Sequence, residues 1–257
     1  MLKLRPDPAS GLTGQPHAAP GCAPVTPRVP RGRRVYAVGD VHGHASLLAR
    51  IQQAIDEDMA AHPGVAAVEV YLGDYVDRGP NSAGVLDALI ARKLTHNAVC
   101  LSGNHEAVMK EALASPEAFA RWLGMGGRET VTSYLGPRRA HDEATLWQAW
   151  RSAMPRAHLA FLDGLETRFV CGDYVFVHAG VRPGVPLEQQ SAEDMMWIRR
   201  PFLDCGDWLG HCVVHGHTPG REPEFRSNRI NIDTAAYATG RLTCLVLEGE
   251  ERFLIAT

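Results

Sequence analysis

The sequence predicts an α/β (α+β) protein, a four-layer α-β-β-α sandwich in which two mixed β-sheets pack together between outer helices. From residue 35, short apolar runs alternate with amphipathic stretches, an order typical of parallel strands joined by right-handed helical crossovers. After residue 165, short strand-like runs follow one another with few helices between them, which favours a second, mixed sheet. The 257 residues are enough for one such domain with a sizeable core.

The first half of the chain supplies three predicted strands and two predicted helices. The strands are short apolar runs stopped by glycine or polar residues, at positions 35–38, 68–72 and 98–101. The helices, at 44–62 and 82–94, have apolar residues at helical spacing. From about residue 107 to 165 the pattern is mostly helical and includes Trp122, which indicates a helical insertion.

The second half of the chain supplies the strands of the second sheet and completes the first. The strand-like runs lie at 168–171, 174–177, 212–214, 230–232, 242–247 and 253–255. Residues 1–33 are rich in Pro, Gly and Ala and cannot bury enough apolar surface to offset ordering, so we expect a disordered tail. Residues 34–257 are then expected to form a single domain.

Composition and charge give no support for several classes of protein. The formal net charge of −3 gives no argument for a nucleic-acid or membrane-surface partner. No apolar run approaches the roughly 20 residues that a spanning helix needs, and the first 20 residues contain no secretory apolar region. The six cysteines form no Cys-x-x-Cys pair, which favours reduced thiols and a cytoplasmic protein. Nothing in the sequence indicates an oligomeric state.

Five short segments combine glycine with Asp, His or Asn, each after a predicted strand. They are Gly39–Gly43, Gly73–Gly79, Gly103–Glu106, His178–Gly180 and His215–Thr218. In open α/β sheets, ligands bind in the crevice beyond the carboxyl ends of the strands, where these segments are expected. Taken singly, each has an ordinary interpretation as a helix cap or a turn, but all five in order after apolar runs indicate one site.

The residue types in these segments suit two divalent cations. Asp40 and His42 are two apart in an extended segment and therefore point the same way, and Asp74 has two oxygens that can bridge two ions. The candidate metal ligands are Asp40, His42, Asp74, Asn104, His178 and His217. Mixed oxygen and imidazole ligands favour Mn²⁺, Fe or Zn²⁺ over Ca²⁺, and we expect Mn²⁺.

The motifs Gly-Asp-x-His-Gly, Gly-Asp-x-x-Asp-Arg-Gly and Gly-Asn-His-Glu, in this order, carry a resemblance to a known family. Residues 34–256 resemble the phosphoprotein phosphatases among the calcineurin-like metallophosphoesterases, and more narrowly the bacterial and phage serine/threonine protein phosphatases. The resemblance implies the metallophosphoesterase fold. It also implies that one metal is bound by Asp40, His42 and Asp74, and the second by Asp74, Asn104, His178 and His217.

The resemblance further implies a mechanism, in which a metal-bridging hydroxide attacks phosphorus directly. His105 would protonate the leaving group and Asp77 would orient it, while Arg78 and Arg199, with Asn104, would contact the substrate phosphate. Arg199 is chosen because residues 196–199 are similar to a Trp-x-Arg element of the family, and its neighbour Arg200 is the alternative.

The implied function is hydrolysis of phosphoserine and phosphothreonine, and also of phosphotyrosine as a further candidate, in phosphorylated proteins or peptides. The alternatives are a dinucleoside tetraphosphate hydrolase and a small-molecule phosphoesterase. The tetraphosphate hydrolases usually lack the aspartate matching Asp77 and have Asp at the position of Glu106, so both residues favour the phosphatase. A binding protein that lost the chemistry is disfavoured because no motif residue is missing. We expect residues 122–127 and the loop 181–209 to shape the entrance.

Overall fold

The computed structural model describes residues 2–4, 26–137 and 142–257, and it confirms the predicted architecture of two mixed sheets flanked by helices. The strands are β1 (Leu2–Leu4), β2 (Arg33–Val38), β3 (Ala66–Tyr71), β4 (Ala98–Cys100), β5 (Arg168–Cys171), β6 (Tyr174–Val177), β7 (Cys212–His215), β8 (Glu224–Phe225), β9 (Arg229–Asn231), β10 (Thr243–Glu248) and β11 (Glu251–Ala256).

The helices connect these strands and flank the sheets. They are α1 (Ala45–Ala61), α2 (Ser82–Thr95), α3 (Asn104–Ala114), α4 (Pro116–Trp122), α5 (Arg128–Leu135), α6 (Glu143–Ala153), α7 (Arg156–Asp163), α8 (Ala192–Trp197) and α9 (Ala236–Thr239). A π-helical turn, Leu123–Gly127, joins α4 to α5, and a short 3₁₀ turn covers Leu187–Gln189.

Each sheet combines parallel and antiparallel neighbours. The first has the strand order β1-β11-β10-β2-β3-β4, and the second has the order β5-β6-β7-β9-β8. Within the first sheet β2, β3 and β4 are parallel, so their carboxyl ends lie at one edge. Within the second sheet β6, β7 and β9 are parallel in the same way. These parallel strands are the ones that the candidate site segments follow.

Alternating side chains of the strands build the layers. In β2, Val35 and Ala37 belong to the apolar core that also contains Phe176 of β6, whereas Tyr36 and Val38 belong to the core beneath the helices. Successive strand residues point to opposite faces of a sheet, so a strand with apolar residues at every position can be covered on both sides.

The outer face of the second sheet is covered mainly by loop rather than by long helices. Val175 and Val213 point to a third apolar cluster, where Met195 of α8 and Phe202 pack against them. The fourth layer therefore rests on the short helix α8 and the segment that follows it.

The segment predicted as a helical insertion contains α3 to α7 and has an aromatic centre. The rings of Phe119, Trp122 and Trp150 are fully buried, with 4.8 Å between the centroids of the two tryptophans. This cluster fixes α4 against α6 and places Trp122 inside the protein.

The chain before Arg34 differs in part from the expected tail. Val29 is 1% exposed and belongs to the core between the sheets, and its N–H donates to the carbonyl of Gly249 over 2.8 Å. Residues 26–33 are therefore part of the packed structure, because Val29 lies in the core, the N–H of Arg28 donates to Oδ2 of Asp173 over 3.0 Å, and Arg33 begins β2. Leu2–Leu4 pairs with β11, and positions 1 and 5–25 of the expected tail lie outside the described residues.

Within the described ranges, none of the helices has the length and apolar content needed to cross a bilayer.

We predict that Val29→Ala lowers the free energy of unfolding by roughly 1 to 3 kcal/mol, because the lost methyl groups leave a cavity between the sheets. Val170→Ala, at a position that is 42% exposed in β5, is the matched control and is expected to cost less than about 1 kcal/mol. Urea unfolding measures both. Equal costs for the two variants would show that Val29 is not a core residue.

Candidate active site

The site lies where the carboxyl ends of β2, β3, β4, β6 and β7 come together from the two sheets. Two bonds join the segments across the sandwich. The Nδ1 of His178, after β6, contacts the carbonyl oxygen of Leu72, after β3, over 3.0 Å. The N–H of His217, after β7, donates to Oδ2 of Asp40, after β2, over 3.1 Å. The five sequence segments therefore form one buried cluster.

Backbone strain is concentrated in this cluster. The non-glycine residues of the described chain with φ between +42° and +72° are His42, Asp74, Asp77, Arg78, His217 and Ala235. The left-handed region costs an L-residue roughly 1 to 2 kcal/mol, so the surrounding contacts must hold these residues in place. All but Ala235 were predicted from sequence as site residues.

Glu106 supplies the contacts that hold the turn of Asp74. Its fully buried carboxylate accepts the N–H groups of Gly103 (2.9 Å), Asp74 (2.8 Å), Tyr75 (2.7 Å) and Val76 (3.2 Å). Four donors from two turns thus converge on one side chain. Glu106 thereby fixes the turn that carries Asp74 against the start of α3.

The close approach of these two turns requires glycine on both sides. Gly73 has φ +109°, and a Cβ there would lie 2.5 Å from the backbone nitrogen of Gly103. A Cβ on Gly103 would collide with the carboxylate of Asp74. The glycines of the two motifs therefore allow the backbones to touch.

One half of the cluster surrounds Oδ1 of Asp74. The Nε2 of His178 lies 3.3 Å from this oxygen and 3.0 Å from Oδ1 of Asn104. The Nδ1 of His217 lies 2.9 Å from the same Asn104 oxygen. Single ligand atoms of Asp74, His178 and His217 all lie within 4.8 Å of one another, so these side chains could hold one cation.

The other half surrounds Oδ2 of Asp74. The Nε2 atoms of His42 and His105 lie 3.5 Å and 3.9 Å from this oxygen, and these three side chains form a second group that could hold a cation. Asp40 stands beside Asp74, and its Oδ1 is buried with no hydrogen-bond partner among the described residues. A buried carboxylate oxygen without a hydrogen-bond donor is available as a ligand for a cation.

The histidines are oriented as ligands. The Nδ1 atoms of His42 and His178 contact the carbonyl oxygens of Val76 (2.9 Å) and Leu72 (3.0 Å), so each Nδ1 carries the proton and each Nε2 has its lone pair free. Burial lowers the pKa of both rings, that of His42 to about 3. Neutral imidazole is the form that binds a metal.

Crowded carboxylates also favour bound cations. Burial, and then Asp233 and Asp74, raise the pKa of Asp40 well above its usual value. Burial likewise raises the pKa of Asp233 to about 6. Positive charge placed between these groups would stabilise their ionised forms. The donor set, the orphaned oxygen and the crowding of carboxylates all fit divalent metal ions.

His105 and Asp77 form a buried pair beside the cluster. The Nδ1 of His105 lies 2.6 Å from Oδ2 of Asp77, so Nδ1 donates and Nε2 faces Asp74. Burial lowers the pKa of His105, but Asp74 and the bond to Asp77 outweigh this and raise it to about 9. Asp77 also accepts bonds from Trp122 and Thr130, which come from the helical segment.

The arginines lie at the edge of the cluster. Arg78 is exposed; its Nη2 lies 3.2 Å from Nε2 of His105, and its guanidinium lies over the ring of Tyr237 at 4.4 Å. Arg199 donates to the carbonyl of His217 over 3.4 Å, whereas Arg200 pairs with Asp204 in solvent. Of Arg199 and its neighbour Arg200, Arg199 is the one beside the site.

The structure brings the predicted metal-ligand candidates, His105, Asp77, Arg78 and Arg199 into one region, and it differs from the sequence analysis at three points. Trp122 is fully buried and so does not line an entrance. Asp233, buried beside Asp40, was missed although it directly follows a predicted strand, the signal used for the other acids. Tyr237 was also missed, and no local pattern marks it.

Comparison with known proteins agrees with this geometry. Residues 33–242 match the family described as calcineurin-like phosphoesterase, and the chain belongs to that family. Its fold and family are those of a metallophosphoesterase, as the sequence resemblance predicted.

The similar proteins carry three different activities in their names. A bis(5'-nucleosyl)-tetraphosphatase, PrpE, of Anoxybacillus flavithermus is 26% identical over 81% of this chain and 88% of its own length. Serine/threonine-protein phosphatase 1 of Salmonella typhimurium is 29% identical over 82% and 90%. A cold-active protein-tyrosine phosphatase of a Shewanella species shares the fold, with a TM-score of 0.54 and 18% identity over 89% of this chain and 80% of that one.

We predict that Asp74→Asn weakens Mn²⁺ binding at least about 10-fold, because the amide has no charge and only one acceptor oxygen for two cations. Asp163→Asn, at an exposed carboxylate paired with Lys110, is the matched control and should bind Mn²⁺ like the wild type. Isothermal titration of metal-free protein measures both. Unchanged binding by Asp74→Asn would contradict a cation site at this carboxylate.

Proposed function

We propose that this protein is a metal-dependent phosphomonoesterase that hydrolyses phosphoserine and phosphothreonine in proteins. The observation that carries the proposal is the buried His105–Asp77 pair, with Nδ1 of His105 bonded to Asp77 over 2.6 Å and Nε2 directed at the metal-ligand cluster.

The chemistry of the leaving group gives this pair its weight. A serine or threonine alkoxide is a very poor leaving group, so breaking its bond to phosphorus needs a proton donor in the transition state. A nucleotide that leaves from a phosphoanhydride is already a stable anion. A histidine held by a buried aspartate is therefore of most use to an enzyme that cleaves phosphomonoesters of alcohols.

The proposed cation ligands are Asp40, His42, Asp74, Asn104, His178 and His217. Two bound cations, for which we propose Mn²⁺, would supply Lewis-acid activation of water and charge neutralisation on the phosphate. Asp74 would be a ligand of both. The chain itself supplies neutral imidazoles and buried carboxylates whose ligand atoms already lie close together.

Arg78 and Arg199 are the proposed phosphate-binding residues. A guanidinium only donates hydrogen bonds, so Arg78 can donate to Nε2 of His105 over the observed 3.2 Å only while that nitrogen is unprotonated. The raised pKa of His105 favours the protonated ring, in which Nε2–H and the guanidinium are two donors side by side and an acceptor oxygen placed between them would be stabilised by both. A substrate phosphate oxygen would satisfy both and would bring the scissile ester next to His105.

The proposed reaction is a single displacement. The oxygen of a water molecule that has lost a proton to solvent forms a bond to phosphorus, and the bond from phosphorus to the threonine oxygen breaks. That oxygen keeps the electron pair and takes the proton from Nε2 of His105, giving phosphate and the free hydroxyl. Asp77 stabilises the imidazolium before the transfer, and solvent returns the proton to His105 afterwards.

A second candidate is hydrolysis of dinucleoside tetraphosphates. It is favoured by the relatives named bis(5'-nucleosyl)-tetraphosphatase, of which the one from Anoxybacillus flavithermus is 26% identical. The same cations and arginines would serve this reaction. His105 would then matter little for bond breaking, and this difference separates the two candidates by experiment.

The test measures kcat/KM of Mn²⁺-supplemented protein for a phosphothreonine peptide and for diadenosine tetraphosphate. We expect the peptide to be the better substrate, and we expect His105→Asn to lower its turnover at least about 100-fold, since general acids contribute about 10² to 10⁴. His211→Asn, at the amino end of β7 away from the site, is the control and should stay within about twofold of the wild type.

Efficient cleavage of the dinucleotide with little effect of His105→Asn would favour the second candidate. Failure of the wild type to release phosphate from any monoester would overturn the proposal.

A further inference from the structure

We propose that Trp122 and Thr130, two residues of the helical segment, are positioning residues for the general acid, holding Asp77 so that His105 can deliver its proton. This inference rests on the proposed function. It means that the helical segment orients the general acid, in addition to packing against the rest of the protein.

The carboxylate of Asp77 is fully buried and receives three hydrogen bonds. Its Oδ2 accepts from Nδ1 of His105 over 2.6 Å and from Nε1 of Trp122 over 2.8 Å. Its Oδ1 accepts from Oγ1 of Thr130 over 2.7 Å. Two of the three donors thus lie 45 and 53 residues away along the chain.

The direction of the hydroxyl bonds follows from what each group can do. A carboxylate only accepts, so the single proton of Thr130 must point to Asp77. The hydroxyl of Thr130 then accepts from the N–H of Asp77 (2.8 Å) and, over 2.9 Å, from the hydroxyl of Ser82. Thr130 therefore binds both the backbone and the side chain of Asp77 and fixes their relative orientation.

This arrangement fixes the orientation of the His105 ring. A carboxylate whose oxygens are occupied by rigid donors cannot rotate about its bond to Cβ without breaking one of them. Because Oδ2 stays opposite Nδ1, the ring keeps its proton on that nitrogen and keeps Nε2 facing the metal-ligand cluster. Loss of the Trp122 bond would leave Oδ2 with His105 as its single donor and the carboxylate held by two bonds instead of three, so its orientation would be less restricted.

The donors themselves are rigid. The Trp122 ring lies among Phe119, Trp150 and the backbone of Gly127, where a Cβ would collide with the indole. Side chains locked by packing hold a partner more closely than exposed ones do.

The π-helical turn Leu123–Gly127, which follows Trp122, also contacts the backbone beside Asp77. The carbonyl of Gly126 accepts the N–H of Arg78 over 3.0 Å. Asp77 and Arg78 have φ values of +72° and +66°, a strained pair that needs contacts from outside its own loop. The helical segment provides those contacts through Gly126, Trp122 and Thr130.

Trp150 gives a matched control for the indole N–H. Trp122→Phe removes the donor to Asp77 but keeps an aromatic ring in the cluster. Trp150→Phe makes the same change in the neighbouring ring, whose Nε1 is buried with no hydrogen-bond partner among the described residues. Both variants lose similar packing, and only the first loses a bond to the acid pair.

The experiment compares kcat for phenyl phosphate and p-nitrophenyl phosphate, which differ in how much the leaving oxygen needs a proton. For Trp122→Phe we expect kcat to fall about 10-fold or more with phenyl phosphate but less than about threefold with p-nitrophenyl phosphate. For Trp150→Phe we expect equal changes with both substrates. Equal losses for Trp122→Phe, or no loss, would overturn the inference.

A second pair of variants keeps the test decisive if Trp122→Phe does not fold. Thr130→Val removes the hydroxyl and should show the same dependence on the leaving group, whereas Thr130→Ser should restore the wild-type ratio of the two rates. Equal ratios for Thr130→Val and Thr130→Ser would overturn the role of Thr130.

His105→Asn separates failure of this inference from failure of the proposed function. If His105→Asn is selective for the poor leaving group while Trp122→Phe and Thr130→Val are not, only the positioning role is wrong. If the wild type hydrolyses neither aryl phosphate nor the phosphothreonine peptide, the proposed function itself is wrong.

Discussion

The carboxylate of Glu106 ties together the two turns on which the candidate site depends. It accepts four backbone N–H groups, three of them from the turn of Asp74 and one from Gly103 at the start of α3. Both turns hold the chain at close approach, and Asp74 itself has φ +50°. Without a buried acceptor these N–H groups would be unsatisfied and the strained turn would relax. Glu106 therefore sets the distance between Asp74 and Asn104, and through them the spacing of the candidate metal ligands.

Much of the fold could be predicted because its signals are local. Apolar or aromatic residues at every position of 35–38 in β2 and of β6 indicate strand segments covered on both faces, and the structure distributes the side chains of each in alternation between the cores on the two faces of its sheet. The candidate ligands could be predicted for a related reason. Each lies in the turn that follows a strand, and parallel strands bring their carboxyl ends to one edge. Asp233 follows the same rule after β9 and could have been found by applying it once more.

The features that could not be predicted depend on contacts between distant parts of the chain. Nothing near Trp122 in the sequence relates it to Asp77, and only the packing of α4 against α6 brings its indole N–H to the carboxylate. Val29 lies in a stretch whose composition indicates disorder, yet the side chain of Val29 packs in the core between the sheets. In both cases the contact joins residues far apart along the chain, and the pattern within a short window cannot reveal it.

The central claim is that Asp74, fixed by Glu106, lies between two cations. Anomalous diffraction from crystals grown with Mn²⁺, recorded near the manganese absorption edge, tests it most directly. We predict two peaks, both in contact with Asp74, the first near Asp40 and His42 and the second near Asn104 and His178. A single peak, or peaks that do not contact Asp74, would contradict the account.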